Sequence, residues 1–257
     1  MPEAPRLGAD AARIATVARW GAAASEAFVT SPRSHAERRD GSSGRRRARL
    51  ACLLPLLVVG LVLGPSATAD PEPPAAGGAS AAIERFHATL LSAMKDGPKL
   101  GYAGREKLVA PAVDQTFDLA FMTKAALGRH WATLDAAQQE QLTQAFRRWS
   151  VANYASQFAT FAGERFETLG EGEGGQGTTL VRTRIVETDG KATSLDYRMR
   201  ETPGGWRVVD VLLDGTVSQL ALYRADYSSV FERSGFEGLM ATLDEKSANL
   251  AKAPPPR

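Results

Sequence analysis

At 257 residues, 44% of them hydrophobic, the chain is long enough for one or two domains and apolar enough for a sizeable core. Its formal charge of +2 is unevenly spread: residues 1–69 hold ten of the 31 basic and five of the 29 acidic side chains, so residues 70–257 carry a net −3. A mildly acidic body argues against nonspecific nucleic-acid binding, which rests on neutralising phosphates, and the single cysteine, Cys52, excludes an intrachain disulfide or a paired-cysteine redox or zinc motif.

Residues 1–44 are dominated by Ala, Arg, Gly and Ser and are expected to form a poorly ordered leader extension. Residues 45–69 have the three parts of a signal peptide. Arg45, Arg46, Arg47 and Arg49 form a basic cluster, Leu50–Leu63 an apolar run broken by Pro55 and Gly60, and Ala67-Thr68-Ala69 a small-residue cleavage site. The alternative is a retained anchor, but the run falls short of the roughly 20 residues that span a bilayer. Cleavage after Ala69 and export to the periplasm are expected. Residues 70–79, rich in Pro and Gly, should be a linker, 80–247 the folded domain and 248–257 a flexible tail.

Ser80–Lys95 places Ile83, Phe86, Leu90 and Met94 at helical spacing, and Gly97-Pro98 should stop that helix. Ala103–Val113 and Asp118–Leu127 read as short helices, the second closed by Gly128. Thr133 is the expected N-cap of a longer helix, Leu134–Ala162. The apolar face of that helix changes direction. Leu142, Phe146 and Trp149 point one way and Val151, Tyr154, Ala155, Phe158 and Phe161 roughly the other, so the helix is either sandwiched between layers or bent.

Glu164–Gly170 is expected to be a strand and Glu171–Gly177 a glycine-rich turn; it lacks the Lys-Ser/Thr of a phosphate loop and is acidic. Thr178–Glu187 is a β-branched strand, followed by an Asp189-Gly190 turn. Lys191–Glu201 alternates, with Leu195, Tyr197 and Met199 opposite Asp196, Arg198 and Arg200. After Pro203-Gly204-Gly205, Trp206–Leu213 is apolar on both faces and should be covered on both, with Trp206 deeply buried. Leu220, Tyr223, Tyr227 and Val230 mark a helix that Gly235 should end, and Phe236, Leu239, Leu243 and Leu250 mark a last one. The fold class is therefore α+β, a curved antiparallel meander sheet packed against a helical layer.

Little in this pattern supports catalysis. His87 and His130 have no ligand-type partner at helical spacing, no G-x-S-x-G elbow occurs, and no metal or cofactor motif is present. Asp210 lies inside an apolar strand, where a carboxylate needs a partner; Arg198, Arg200 or Arg224 could supply an ion pair that fixes the sheet.

Five stretches taken in order, "FDLAFMTKAALGRHW" (117–131), "AFRRWSVANYASQF" (145–158), "LVRTRIV" (180–186), "DYRMRETPGGWRVVDVLLDG" (196–215) and "LYRADYSSVFERSGFEGLMATL" (222–243), resemble the MlaC and toluene-tolerance family of periplasmic phospholipid-binding proteins and its hopanoid-cluster branch. The resemblance runs from about Phe86 to Leu243, although the long leader departs from the short signal peptides of that family. It implies an apolar cavity between sheet and helices that takes the acyl chains of a phospholipid or hopanoid, and Tyr154, Phe158, Tyr197, Met199 and Val211 are the expected lipid-binding wall residues. It also implies a carrier without cofactor or catalysis. The implied partners are an inner-membrane ABC-type lipid transporter and an outer-membrane lipoprotein complex. The physical need is plain, since each methylene left in water costs about 0.8 kcal/mol. Two alternatives remain: an envelope interaction module whose apolar interior is only core, and an acid/base enzyme using Asp210 or Asp196 with a tyrosine.

Overall fold

The computed structural model describes residues 78–254; the leader, the signal segment and nearly all of the 70–79 linker lie outside them. Helix α1, Ala79–Lys95, buries the predicted stripe Ile83, Phe86, Leu90 and Met94. After Asp96 comes α2, Gly97–Thr116. Gly97-Pro98 therefore starts a helix as well as stopping one. Pro98 sits in the first turn, where its missing N–H leaves no bond unmade. Gly101 breaks α2 with φ 62°, so the predicted 103–113 helix is its main body. Helix α3, Leu119–Leu127, is capped by Asp118, whose carboxylate accepts from Phe121 N at 3.0 Å. A 3-10 turn, Gly128–Thr133, leads to α4, Ala136–Gln157.

The N-cap of α4 is Asp135, not Thr133. Asp135 Oδ1 accepts from Gln138 N at 2.8 Å, and Gln138 Oε1 accepts from Asp135 N at 3.1 Å, a reciprocal capping box. Thr133 donates its hydroxyl to His130 O instead. A carboxylate also complements the positive helix end, which a hydroxyl does not. Asp135→Ala should therefore cost about 1 kcal/mol in urea denaturation, with Thr133→Ala much closer to wild type; the reverse order would reassign the cap.

Helix α4 ends at Gln157, five residues before its predicted end, and Phe161 beyond it is 41% exposed. Residues 149–155 are buried on every side, so the opposed apolar faces belong to a sandwiched helix. It packs against α2, α3 and the final helix, α5.

The sheet is an antiparallel meander in the order β1 (Arg165–Gly175), β2 (Thr178–Val186), β3 (Ala192–Thr202), β4 (Gly205–Leu213) and β5 (Val217–Ser218). The glycine-rich segment is mostly strand, not turn. β1 continues to Gly175, and Gln176 and Gly177 alone make the turn to β2. Local propensity argues against strand there, but pairing with β2 overrides it. The register slips between Thr168 and Gly170 and again between Glu173 and Gly175; Gly170 (φ 122°) and Gly175 (φ 75°) supply the backbone freedom that such bulges need.

Leu195, Tyr197 and Met199 face the core as expected, and Asp196, Arg198 and Arg200 the other side. Residues 208–213 of β4 are all buried. Val208, Val211 and Leu213 join the core, while Asp210 lies under the β5–α5 corner. Trp206 differs from expectation: it is only half-buried, because it lines a groove that the β3–β4 hairpin forms with α1 and the end of α2. Helix α5, Gln219–Lys252, is interrupted at Gly235 (φ 66°), the predicted break. It continues past residue 247, where a tail was expected to begin, because Leu250 still packs on the core.

Candidate functional site

The interior between sheet and helices is built around an aromatic cluster. Phe86 of α1 meets Phe117 edge-on at 5.2 Å between ring centroids, Tyr154 of α4 at 5.0 Å and Tyr197 of β3 at 6.5 Å. Each ring comes from a different segment, so the cluster joins both layers. Beside it, His87 stacks on Phe166 at 4.1 Å, and its Nε2 lies 3.0 Å from Tyr197 Oη. Burial lowers the His87 pKa to about 3, and burial likewise pushes the phenols of Tyr154, Tyr197, Tyr223 and Tyr227 up. All five groups are thus neutral at physiological pH. Such an interior suits an apolar ligand, and it is a poor setting for proton transfer near neutrality.

The five predicted wall residues are brought together here. Tyr154, Phe158, Tyr197, Met199 and Val211 are all buried and belong to one core cluster. Among the described residues they pack as part of one core. A cavity of about 20 Å³ remains, bounded by Phe117, Phe146, Trp149, Tyr154, Val211 and Tyr223 among others. That is room for about one water. Only Tyr154 and Val211 of the five reach it; Phe158, Tyr197 and Met199 pack against neighbours.

Sequence reasoning misses several parts of this interior. Phe86 and Phe166 carry no expected site role, although Phe86 stands on the inward stripe of α1. Asn153 and Gln219 also line the small cavity, and among the described residues neither Asn153 Oδ1 nor the Gln219 amide has a hydrogen-bond partner. An isolated amide inside an apolar helical run is the available signal for Asn153. Also missed is a groove of about 340 Å³ along the seam between α1, the end of α2 and the β3–β4 hairpin, with Phe86 at its wall.

The two acids of the enzymatic alternative face away from the interior. Asp210 accepts from Ser218 Oγ at 2.7 Å, Leu220 N at 3.0 Å and Arg198 Nη1 at 3.3 Å, so it ties β3, β4 and the start of α5 together. Asp196 accepts from Thr183 N at 3.1 Å. Among the described residues no cluster of three or more His, Cys, Asp or Glu could hold a metal ion, and no helix is long and apolar enough to cross a membrane.

The family model for the MlaC protein matches residues 84–245, from α1 to α5. Among solved structures, a phospholipid-binding protein from Ralstonia solanacearum, in complex with a phospholipid, is similar to the chain at 26% identity and a TM-score of 0.58. The match covers 67% of this chain and 96% of that one. No curated protein matches the sequence.

Proposed function

The chain belongs to the MlaC protein family, and from that premise we propose that it is a periplasmic carrier that binds a phospholipid between its sheet and its helices. The observation that carries this reading is the likeness, over 67% of this chain and 96% of the other, to a protein solved with a phospholipid bound. The layered interior supports it: an apolar, uncharged core shared by two layers joined by side-chain packing. Chains held there escape the cost of exposing each methylene to water, about 0.8 kcal/mol.

Loading requires movement. A space of about 20 Å³ holds one water, and one acyl chain displaces many. The sheet must therefore swing away from the helices, exchanging ring-to-ring contacts for ring-to-chain contacts while its own ladder stays paired. In this reading the signal segment ending at Ala69 delivers the chain to the periplasm. There it receives lipid from, or returns it to, an inner-membrane ABC-type transporter and an outer-membrane lipoprotein complex. It performs no chemistry on its cargo. A hopanoid is the alternative cargo, being equally apolar.

The test is extraction. Protein purified without detergent, from residue 70 onward, should release a glycerophospholipid into organic solvent, identified by mass spectrometry. A hopanoid there would change the cargo but keep the carrier. No lipid of either class, and none taken up from vesicles, would leave the interaction-module reading in its place. Val211→Glu should reduce the recovered lipid at least tenfold. A carboxylate facing acyl chains lacks a partner and costs several kcal/mol, and 1.4 kcal/mol is already a factor of ten. Full loading by a folded Val211→Glu variant would show that Val211 does not face the chains.

A further inference from the structure

The groove at the seam has the lining of an anion site. Arg85 and Thr89 project from α1, Gln115 and Thr116 from the end of α2, and Trp206 and Arg207 from the β3–β4 hairpin. Among the described residues no aspartate or glutamate lines it, although residues 70–257 carry a net −3. Arg85 is exposed and forms no ion pair among the described residues. Arg207 donates one N–H to Gln115 O, which fixes its guanidinium in the groove and leaves other donors over. Phe86, 1% exposed, closes the inner wall, and its ring touches Phe117, Tyr154 and Tyr197 on the other side. Phe86 thus has the groove on one side and the aromatic cluster on the other.

Resting on the carrier reading, we propose that this groove seats the phosphate of the bound lipid. A lipid whose chains lie between sheet and helices must leave its polar end at the seam between them. At this seam the groove offers two guanidinium forks, the side chain that best matches phosphate oxygens. The half-buried indole of Trp206 supplies an amphipathic surface for the glycerol beside it. The cargo is therefore a phosphate-bearing lipid, selected over a neutral lipid with the same chains.

The experiment offers the mature protein vesicles containing phosphatidylglycerol or diacylglycerol of identical chains and measures the lipid taken up by mass spectrometry. Wild type should take phosphatidylglycerol about tenfold better, the value of one charge-assisted hydrogen bond. Arg85→Glu should bring phosphatidylglycerol down to the diacylglycerol level, and Arg207→Gln should reduce it too. Arg182→Glu, on the exposed outer face of β2, should keep the preference. Glycerol 3-phosphate titrated against lipid-free protein, followed by phosphorus NMR, tests the seat without chains, and its binding should weaken in Arg85→Glu. Equal uptake of both lipids by wild type would overturn the phosphate seat and leave the carrier standing. So would a preference that survives in Arg85→Glu. Uptake of neither lipid, with glycerol 3-phosphate still bound through Arg85, would make the groove a site for free phosphoesters, and the carrier reading would fall with the lipid assignment.

Discussion

Phe86→Ala should lower the stability of the folded domain by about 3–5 kcal/mol, the range for aromatic truncation in a packed core. Phe86 is 1% exposed and makes edge-to-face contacts with Phe117, Tyr154 and Tyr197. Those three come from the α2–α3 junction, α4 and β3, so one truncation loosens the helical layer and the sheet together. Relaxation has little to work with, because β3 is held by β2 and β4 on either side and α4 is enclosed. Chemical denaturation gives the number directly, and the melting temperature should drop by about 2–4 °C per kcal/mol for a domain of this size. Phe86→Leu should recover much of the loss, since it keeps an apolar side chain in the space. A loss below about 1 kcal/mol would mean that the interior collapses around the gap and that Phe86 does not join the layers.

His87 should make the fold acid-sensitive in a defined window. Burial lowers its pKa from 6.5 to about 3, so between those values the unfolded chain binds a proton that the folded protein refuses. Stability therefore rises with pH across that interval. It is fully present above about pH 6.5, falls as the pH drops, and the His87 contribution is gone near pH 3. At 1.36 kcal/mol per unit the whole effect is on the order of 5 kcal/mol. Carboxylates also respond to acid, so the comparison is with His87→Gln, which keeps a hydrogen-bonding side chain opposite Tyr197 Oη without a titrating ring. Denaturation curves for wild type and variant should converge as the pH falls from 6.5 towards 3. Parallel loss in both proteins would show that His87 is not held neutral in the core.

The sequence by itself determined most of the local structure. Alternation set the faces of β3, the Asp189-Gly190 dipeptide set the β2–β3 turn, and Gly235 set the break in α5, because each rests on backbone geometry or side-chain period within a few residues. The opposed apolar faces of α4 implied enclosure between layers. The ordered stretches from Phe117 to Leu243 were enough to carry the family resemblance. Boundaries were less legible where two local signals competed, as with Thr133 and Asp135 at the start of α4.

Only the tertiary structure decided the rest. Residues 171–175 read as turn because glycine has low strand propensity, and they are strand because β2 lies alongside. Helical spacing gave His87 no partner, and it is buried because Phe166 and Tyr197, 79 and 110 positions away, close over it. The five expected wall residues rest on the resemblance. Period fixes which way a side chain points but not how closely the facing layer approaches, so that they pack with room for about one water could not be read from it. The groove joining Arg85 to Arg207 was equally hidden. Those residues lie 122 positions apart on a helix and a hairpin, and only the docking of sheet on helices brings them to one seam.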